Sequence, residues 1–178
     1  MITYQSFSLI SVLILLKQTD FMTIIICFVG HNLIKLDLHH IENLTLKAVL
    51  NININCSRLR ILKFSGCTFV DQDNSNTDEE SLEADIFSQN QQRRFNNELK
   101  SQFVPFFELE ELLISDACPE SLLILILSLC INLKKLTIGT PCRITDQCFE
   151  QVLINNKFQY LSQLEIRQSD LLTMKTVR

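Results

Sequence analysis

Hydrophobic positions along this 178-residue chain recur in one short phrase, Leu-x-x-Leu-x-Leu, with Ile or Phe standing in for some leucines. The copies are Leu33/Leu36/Leu38, Leu59/Leu62/Phe64, Leu109/Leu112/Ile114, Leu133/Leu136/Ile138 and Leu161/Leu164/Ile166. From 33 to 59 is 26 residues, from 59 to 109 is 50, from 109 to 133 is 24 and from 133 to 161 is 28. Three intervals are one period long, and the remaining one is about a period plus an insertion. The second and third apolar residues of each phrase are separated by one residue, so both point to one face of a short strand. The first packs in the turn leading into that strand. Ile10-x-x-Leu13-x-Leu15 fits the same phrase 23 residues before Leu33 and reads as a degenerate first copy.

A helix is predicted after each strand. In RITDQCFEQVL, Thr145 and Asp146 are N-cap candidates, and Phe149, Val152 and Leu153 fall on one helical face. Ile41, Leu46, Val49 and Leu50 stand 103 residues before Ile144, Phe149, Val152 and Leu153, which extends the repeat through its helix. Pro119 suits a first helical position, and Ser121 to Leu127 reads as a helix packed on more than one side. Glu98 to Phe107 is expected to regain the helix of the Leu59 copy. One strand–helix unit of this size cannot bury its leucine face alone, whereas stacked units bury it against each other along a continuous parallel sheet. This phrase at a period of roughly 20–29 residues is the leucine-rich-repeat signature. The expected fold is therefore α/β, a right-handed leucine-rich-repeat solenoid forming a partial horseshoe, with parallel strands on the concave face and helices on the convex face. It forms a single domain over residues 1–178, with copies starting near Ile10, Leu33, Leu59, Leu109, Leu133 and Leu161.

Some details are more specific. Cys56-x-x-Leu59 and Cys130-x-x-Leu133 place a cysteine at the end of a helix, three positions before the next phrase. Cys67 follows Phe64 by three at the turn position, and Cys142 to Leu153 reads CRITDQCFEQVL. These features resemble the cysteine-containing leucine-rich repeats that follow F-boxes in ubiquitin-ligase substrate receptors, over roughly residues 31–69 and 105–170. The chain departs from that pattern at several points. Phe106 and Phe158 replace the helix-ending cysteine, Ala117 and Ser169 replace the turn cysteine, Cys142 sits one residue late, and no F-box-like segment is recognisable. The resemblance implies a non-enzymatic protein-interaction module that captures a substrate protein, with ligase subunits engaged through sequence upstream. Two alternatives stay open: a non-ligase scaffold or inhibitor-like repeat protein, and a membrane-anchored receptor fragment.

Composition narrows the partner. A net charge of −4, with Lys and Arg scattered, lacks the basic stripe of a nucleic-acid binder. Seven cysteines without a Cys-x-x-Cys pair argue against a disulfide framework or a zinc site. Buried thiols in a reducing compartment, cytoplasm or nucleus, are expected instead. Residues 7–29 are apolar, but Lys17, Gln18 and Asp20 divide them into stretches shorter than the roughly 20 residues of a spanning helix. A membrane role for that segment is the lesser reading. Residues 70–98 form an acidic, Asn/Gln-rich insertion, with seven acidic and no basic residues from Asp71 to Asp85, and are expected to be disordered. They read as a surface insertion, with a dock for a basic partner as the alternative. Ser169-Asp170-Leu171-Leu172 announces a further helix, and no polar cap covers the Ile10 strand, so a fragment of a longer array is expected. Leu13 and Leu15 at one end, and Leu164 and Ile166 at the other, are then expected to be left without a neighbour.

The candidate binding surface is the concave sheet face, read from the positions between the inward leucines. It comprises Lys35, Asp37 and His39; Ile61, Lys63 and Ser65; Glu111, Leu113 and Ser115; Lys135, Thr137 and Gly139; and Gln163, Glu165 and Arg167. Mixed signs favour a protein ligand over a polyanion. His39 and His40 are expected on opposite faces and so poorly placed to clasp a metal. Asp146 near Cys148 has no local histidine and reads as a helix cap. No catalytic residue, cofactor site or metal site is predicted.

Overall fold

The computed structural model describes residues 26, 30–70, 98, 101–115, 117–140 and 144–167. Over these residues the chain is α/β. Its elements are β1 (Lys35–His39), α1 (Leu46–Asn55), β2 (Ile61–Ser65), β3 (Glu111–Ile114), α2 (Glu120–Leu129), β4 (Lys135–Ile138), α3 (Asp146–Asn155) and β5 (Gln163–Ile166), with a 3-10 turn at Gly30–Asn32 before them. The strands form one five-stranded parallel sheet in chain order. Each of the five phrases supplies one strand.

The register aligns the phrases residue for residue. Leu36, Leu62, Leu112, Leu136 and Leu164 form one row, and Leu38, Phe64, Ile114, Ile138 and Ile166 another. At the entry to each later strand, one carbonyl of the preceding turn accepts two N–H groups. Ile34 O takes those of Arg60 and Ile61, Arg60 O those of Glu110 and Glu111, Glu110 O those of Lys134 and Lys135, and Lys134 O those of Ser162 and Gln163, all within 2.8–3.1 Å. The long β2–β3 connection leaves this pattern intact, because the pairing depends on the phrases themselves and not on the length of chain between them.

Both apolar rows are buried through β4, where every member is 0% exposed. The leading residues Leu33, Leu59, Leu109 and Leu133 close the same core, and Val49, Ile52, Leu123, Ile126 and Val152 cover it from the helices. Each fully buried Leu or Ile stabilises the fold by about 1.5–3 kcal/mol, so these rows dominate its stability. At β5 the pattern opens, with Leu164 48% exposed and Ile166 only partly buried. Leu164 is thus open as expected for that end, whereas Ile166 still packs against the core; Leu13 and Leu15 lie outside the described residues.

Several expectations are corrected. The helices after β1 and β4 correspond at an offset of 100 residues, not 103: Thr45 and Thr145 each cap a helix, accepting from Ala48 N and Cys148 N. Leu44 and Ile144, both 0% exposed, fill the slot before each cap. A shift of three nearly preserves helical periodicity, so both registers match apolar residues and only the caps separate them. Asp146 is thus the first helical residue rather than the cap. Pro119 is one position earlier than expected, being the N-cap of α2, where its carbonyl accepts from Leu122 N and Leu123 N.

The convex side of the Leu59 copy also differs. Glu98 and Ser101 are helical, but Phe103 to Phe107 are not. That stretch is held by the buried side chain of Asn53, which donates to Val104 O at 2.8 Å and accepts from Val104 N at 2.9 Å. Phe106 still reaches the core, at 4% exposed. The buried turn slot after β3 is filled by Cys118, whereas Ala117 is exposed. The Ile10 copy, the stretch 71–97, Cys27, Cys142 and Ser169 to Leu172 lie outside the described residues.

Candidate functional site

The sheet alternates a core face with a face free of any covering element among those described. Two rows on that open face run straight across the strands. One is Lys35, Ile61, Glu111, Lys135 and Gln163; the next is Asp37, Lys63, Leu113, Thr137 and Glu165. A third begins with the paired His39 and Ser65 and continues through Ser115, Gly139 and Arg167, whose N–H groups donate to Phe64 O, Ile114 O and Ile138 O. All the surface residues singled out in the sequence therefore come together on one face.

They are not equally available. Thr137 is only 4% exposed, because its short side chain lies between the longer Leu113 and Glu165 of its row, so it offers a partner little surface. Gly139 is buried too. A Cβ there would approach Ser115 Cβ to 2.8 Å, so this row needs a glycine. Gln163 and Arg167 are the most open positions, and the others are half-buried.

Charge on this face is interlocked across strands. Glu111 Oε1 lies 3.1 Å from Lys63 Nζ and 3.7 Å from Lys135 Nζ, so one carboxylate oxygen serves ammoniums on both neighbouring strands. Asp37 Oδ1, shielded from solvent, has His39 Nε2 at 2.7 Å in a contact outside regular hydrogen-bond geometry, with Lys35 Nζ 4.0 Å from the other oxygen. Arg167 Nε donates to Glu165 Oε1 at 2.8 Å.

A parallel arrangement at the rim escaped the sequence analysis. Arg60 Nη2 and Lys134 Nζ both donate to Glu110 Oε1, at 2.7 and 3.0 Å. The hydrogen bond from Arg60, then that from Lys134, holds the Glu110 carboxyl below its ordinary range. The hydrogen bond to Glu110 raises the Arg60 guanidinium in turn. All three residues directly follow the leading leucine of their phrases, so stacking the phrases in register displays the Arg–Glu–Lys column.

The remaining candidates have structural surroundings. His40 does not lie on the face opposite His39: β1 ends at His39, His40 takes φ 53°, and the two rings come within 6.4 Å at a 47° tilt. His40 lies over Gly66, where φ is 69° and a Cβ would meet the imidazole at 2.5 Å. Among the described residues, no group of three or more His, Cys, Asp or Glu side chains is placed to hold a metal ion. Cys56, Cys67, Cys118, Cys130 and Cys148 are buried thiols. Burial pushes the Cys130 thiol far upward, and its Sγ donates to Ile126 O at 3.0 Å. Such a group is a poor nucleophile. No helix among the described residues is long and apolar enough to cross a membrane.

The chain matches no known protein-family model, and no curated protein matches it significantly.

Proposed function

We propose that this chain is a protein-interaction module, a leucine-rich-repeat solenoid of the cysteine-containing kind whose open sheet face is concave and captures a partner protein. In this reading it acts as the substrate-recognition part of an F-box-type ubiquitin-ligase receptor. It performs no catalysis itself and presents its ligand to other subunits for modification. The observation that carries the module reading is the register: five copies of one phrase stack as five consecutive parallel strands, and every intervening side chain is delivered to one face. A rigid scaffold presenting a broad array of mixed polar, charged and aliphatic side chains suits protein recognition better than small-molecule chemistry. Cys67 supports the subtype. Its Sγ lies 3.4 Å from Leu38 O, so the turn cysteine ties one strand–helix unit to the one before. Buried thiols suit a reducing compartment, cytoplasm or nucleus.

Affinity purification of the gene product from cells, together with a Leu113→Arg variant, tests both parts. The ligase reading expects adaptor and cullin subunits with both proteins, and a further protein lost with L113R. Absence of the ligase subunits would sink the ligase assignment and leave a scaffold. A set of co-purifying proteins unchanged by L113R would sink the assignment of the face.

A further inference from the structure

We propose that the centre of the open face, around Lys63, Leu113 and Lys135, takes an acidic peptide segment of the partner protein. This rests on reading that face as the protein-binding surface.

The charge inventory of the face is uneven. Asp37 lies against His39 and Lys35, and Glu165 against Arg167, so the acids toward both ends of the sheet have their own basic neighbours. Toward the ends each acid has one permanent cation beside it, Lys35 for Asp37 and Arg167 for Glu165, whereas at the centre two permanent cations meet one acid. Lys63 on β2 and Lys135 on β4 share the single Glu111 carboxylate on β3, through the same oxygen. Each ammonium has three donors, and one shared acceptor oxygen leaves most of them to solvent or a ligand. Both lysines remain accessible, with side chains 25% and 37% exposed. The rim column looks similar, but Arg60 also feels Glu108 as well as Glu110, so acids and bases balance there. The excess of permanent positive charge therefore lies in the middle of the face, on a chain whose net charge is −4.

Apolar surface lies in the same place. Leu113 is beside Lys63 in one row, Ile61 is beside Glu111 in the next, and Lys135 is diagonal to Leu113. An aliphatic patch bordered by cations with unused donors is a hot-spot layout: the apolar contact supplies affinity and the charges select the ligand. The complementary ligand is an extended segment carrying an apolar side chain for Leu113 and carboxylates on either side for Lys63 and Lys135. A basic segment would meet both ammoniums with no acid to spare, since Glu111 is already bridged.

Selection from a random-peptide phage library on the full chain tests this, with every recovered peptide re-measured on the Leu113→Arg variant. The expected result is a set of binders that lose affinity with L113R and are enriched in Asp and Glu. A representative peptide should weaken about tenfold on K63Q/K135Q, from two exposed ion pairs, weaken at high salt, and bind R60Q unchanged. Binders that depend on Leu113 but are basic or uncharged would overturn the acidic-ligand inference and leave the face as a binding surface. Binders indifferent to L113R, or no binders at all, would overturn both. Thermal unfolding of each variant establishes that the fold is intact.

Discussion

The side-chain amide of Asn156, just past the end of α3, lies 2.8 Å from the carbonyl oxygen of Cys130, just past the end of α2. The same nitrogen is 2.8 Å from Leu127 O, and Asn156 Oδ1 accepts from Phe158 N at 3.0 Å. One buried side chain thus satisfies terminal carbonyls of the preceding helix while shaping the turn into β5. Replacing it with Ala strips Cys130 O of this donor and leaves Leu127 O only the N–H of Cys130 at 3.3 Å, with a cost of about 1–3 kcal/mol for a backbone group left dry and unpaired. Asn156→Ala should therefore lower the urea midpoint clearly. Asn156→Asp should be at least as damaging, because it turns a donor into an acceptor facing two carbonyls. Midpoints within error of the parent would show that water replaces the amide.

Leu112 and Leu164 occupy the same row and carry the same side chain, but the first is 0% exposed and the second 48%. Leu112→Ala should cost about 2–5 kcal/mol, the range for buried leucines. Leu164→Ala should cost roughly a quarter to a half of that, since much of its surface is already in water. Equal losses in chemical denaturation would mean that β5 is covered in solution.

The strands were legible because each reports itself twice, through apolar spacing and through its distance from the next copy. Those two signals gave the register of all five strands and the membership of the open face. Helix positions were less legible. The offset of 103 competes with the true 100 because helical periodicity tolerates a three-residue slip, and only the pairing of Thr45 with Thr145 as caps breaks the tie. Asn53 and Asn156 were invisible for another reason: a polar residue near the end of a helix reads as solvent-facing, and only the structure brings Val104 or Cys130 within reach. Thr137 shows the converse limit, since alternation gives the face but not the height of the neighbouring side chains.

Glu110 gives a pH dependence of known sign. Arg60 and Lys134 hold its carboxyl below the ordinary 4.5, so the folded state binds that proton less readily than the unfolded one. The stabilisation is present above the unfolded value and fades as pH falls through the folded one. Glu110→Gln should thus lower the melting temperature slightly at neutral pH, and the gap should close in acid below pH 4.5. High salt should shrink it as well, since these pairs are exposed. A gap that widens on acidification would contradict the assignment.

The last described strand and helix expose side chains whose counterparts earlier in the chain are buried. Leu164 is 48% exposed where Leu136 is 0%, and Leu153 on α3 is 43% exposed at the helical position that Leu127 fills on α2 at 0%. These positions face the neighbouring strand and helix where such neighbours exist, so β5 and α3 present a step of apolar surface. Burying the exposed halves of these two side chains is worth about 1.5–3 kcal/mol per subunit, a meaningful fraction of a typical stability of about 5–15 kcal/mol. The isolated chain should therefore self-associate, with an average mass that rises with concentration in sedimentation velocity. L153E/L164E should shift it toward monomer, while costing at least as much thermal stability as Leu164→Ala, because the buried halves of both side chains are lost too. A parent chain that stays monomeric at every concentration, with a single cooperative melt, would show that this step is covered in solution.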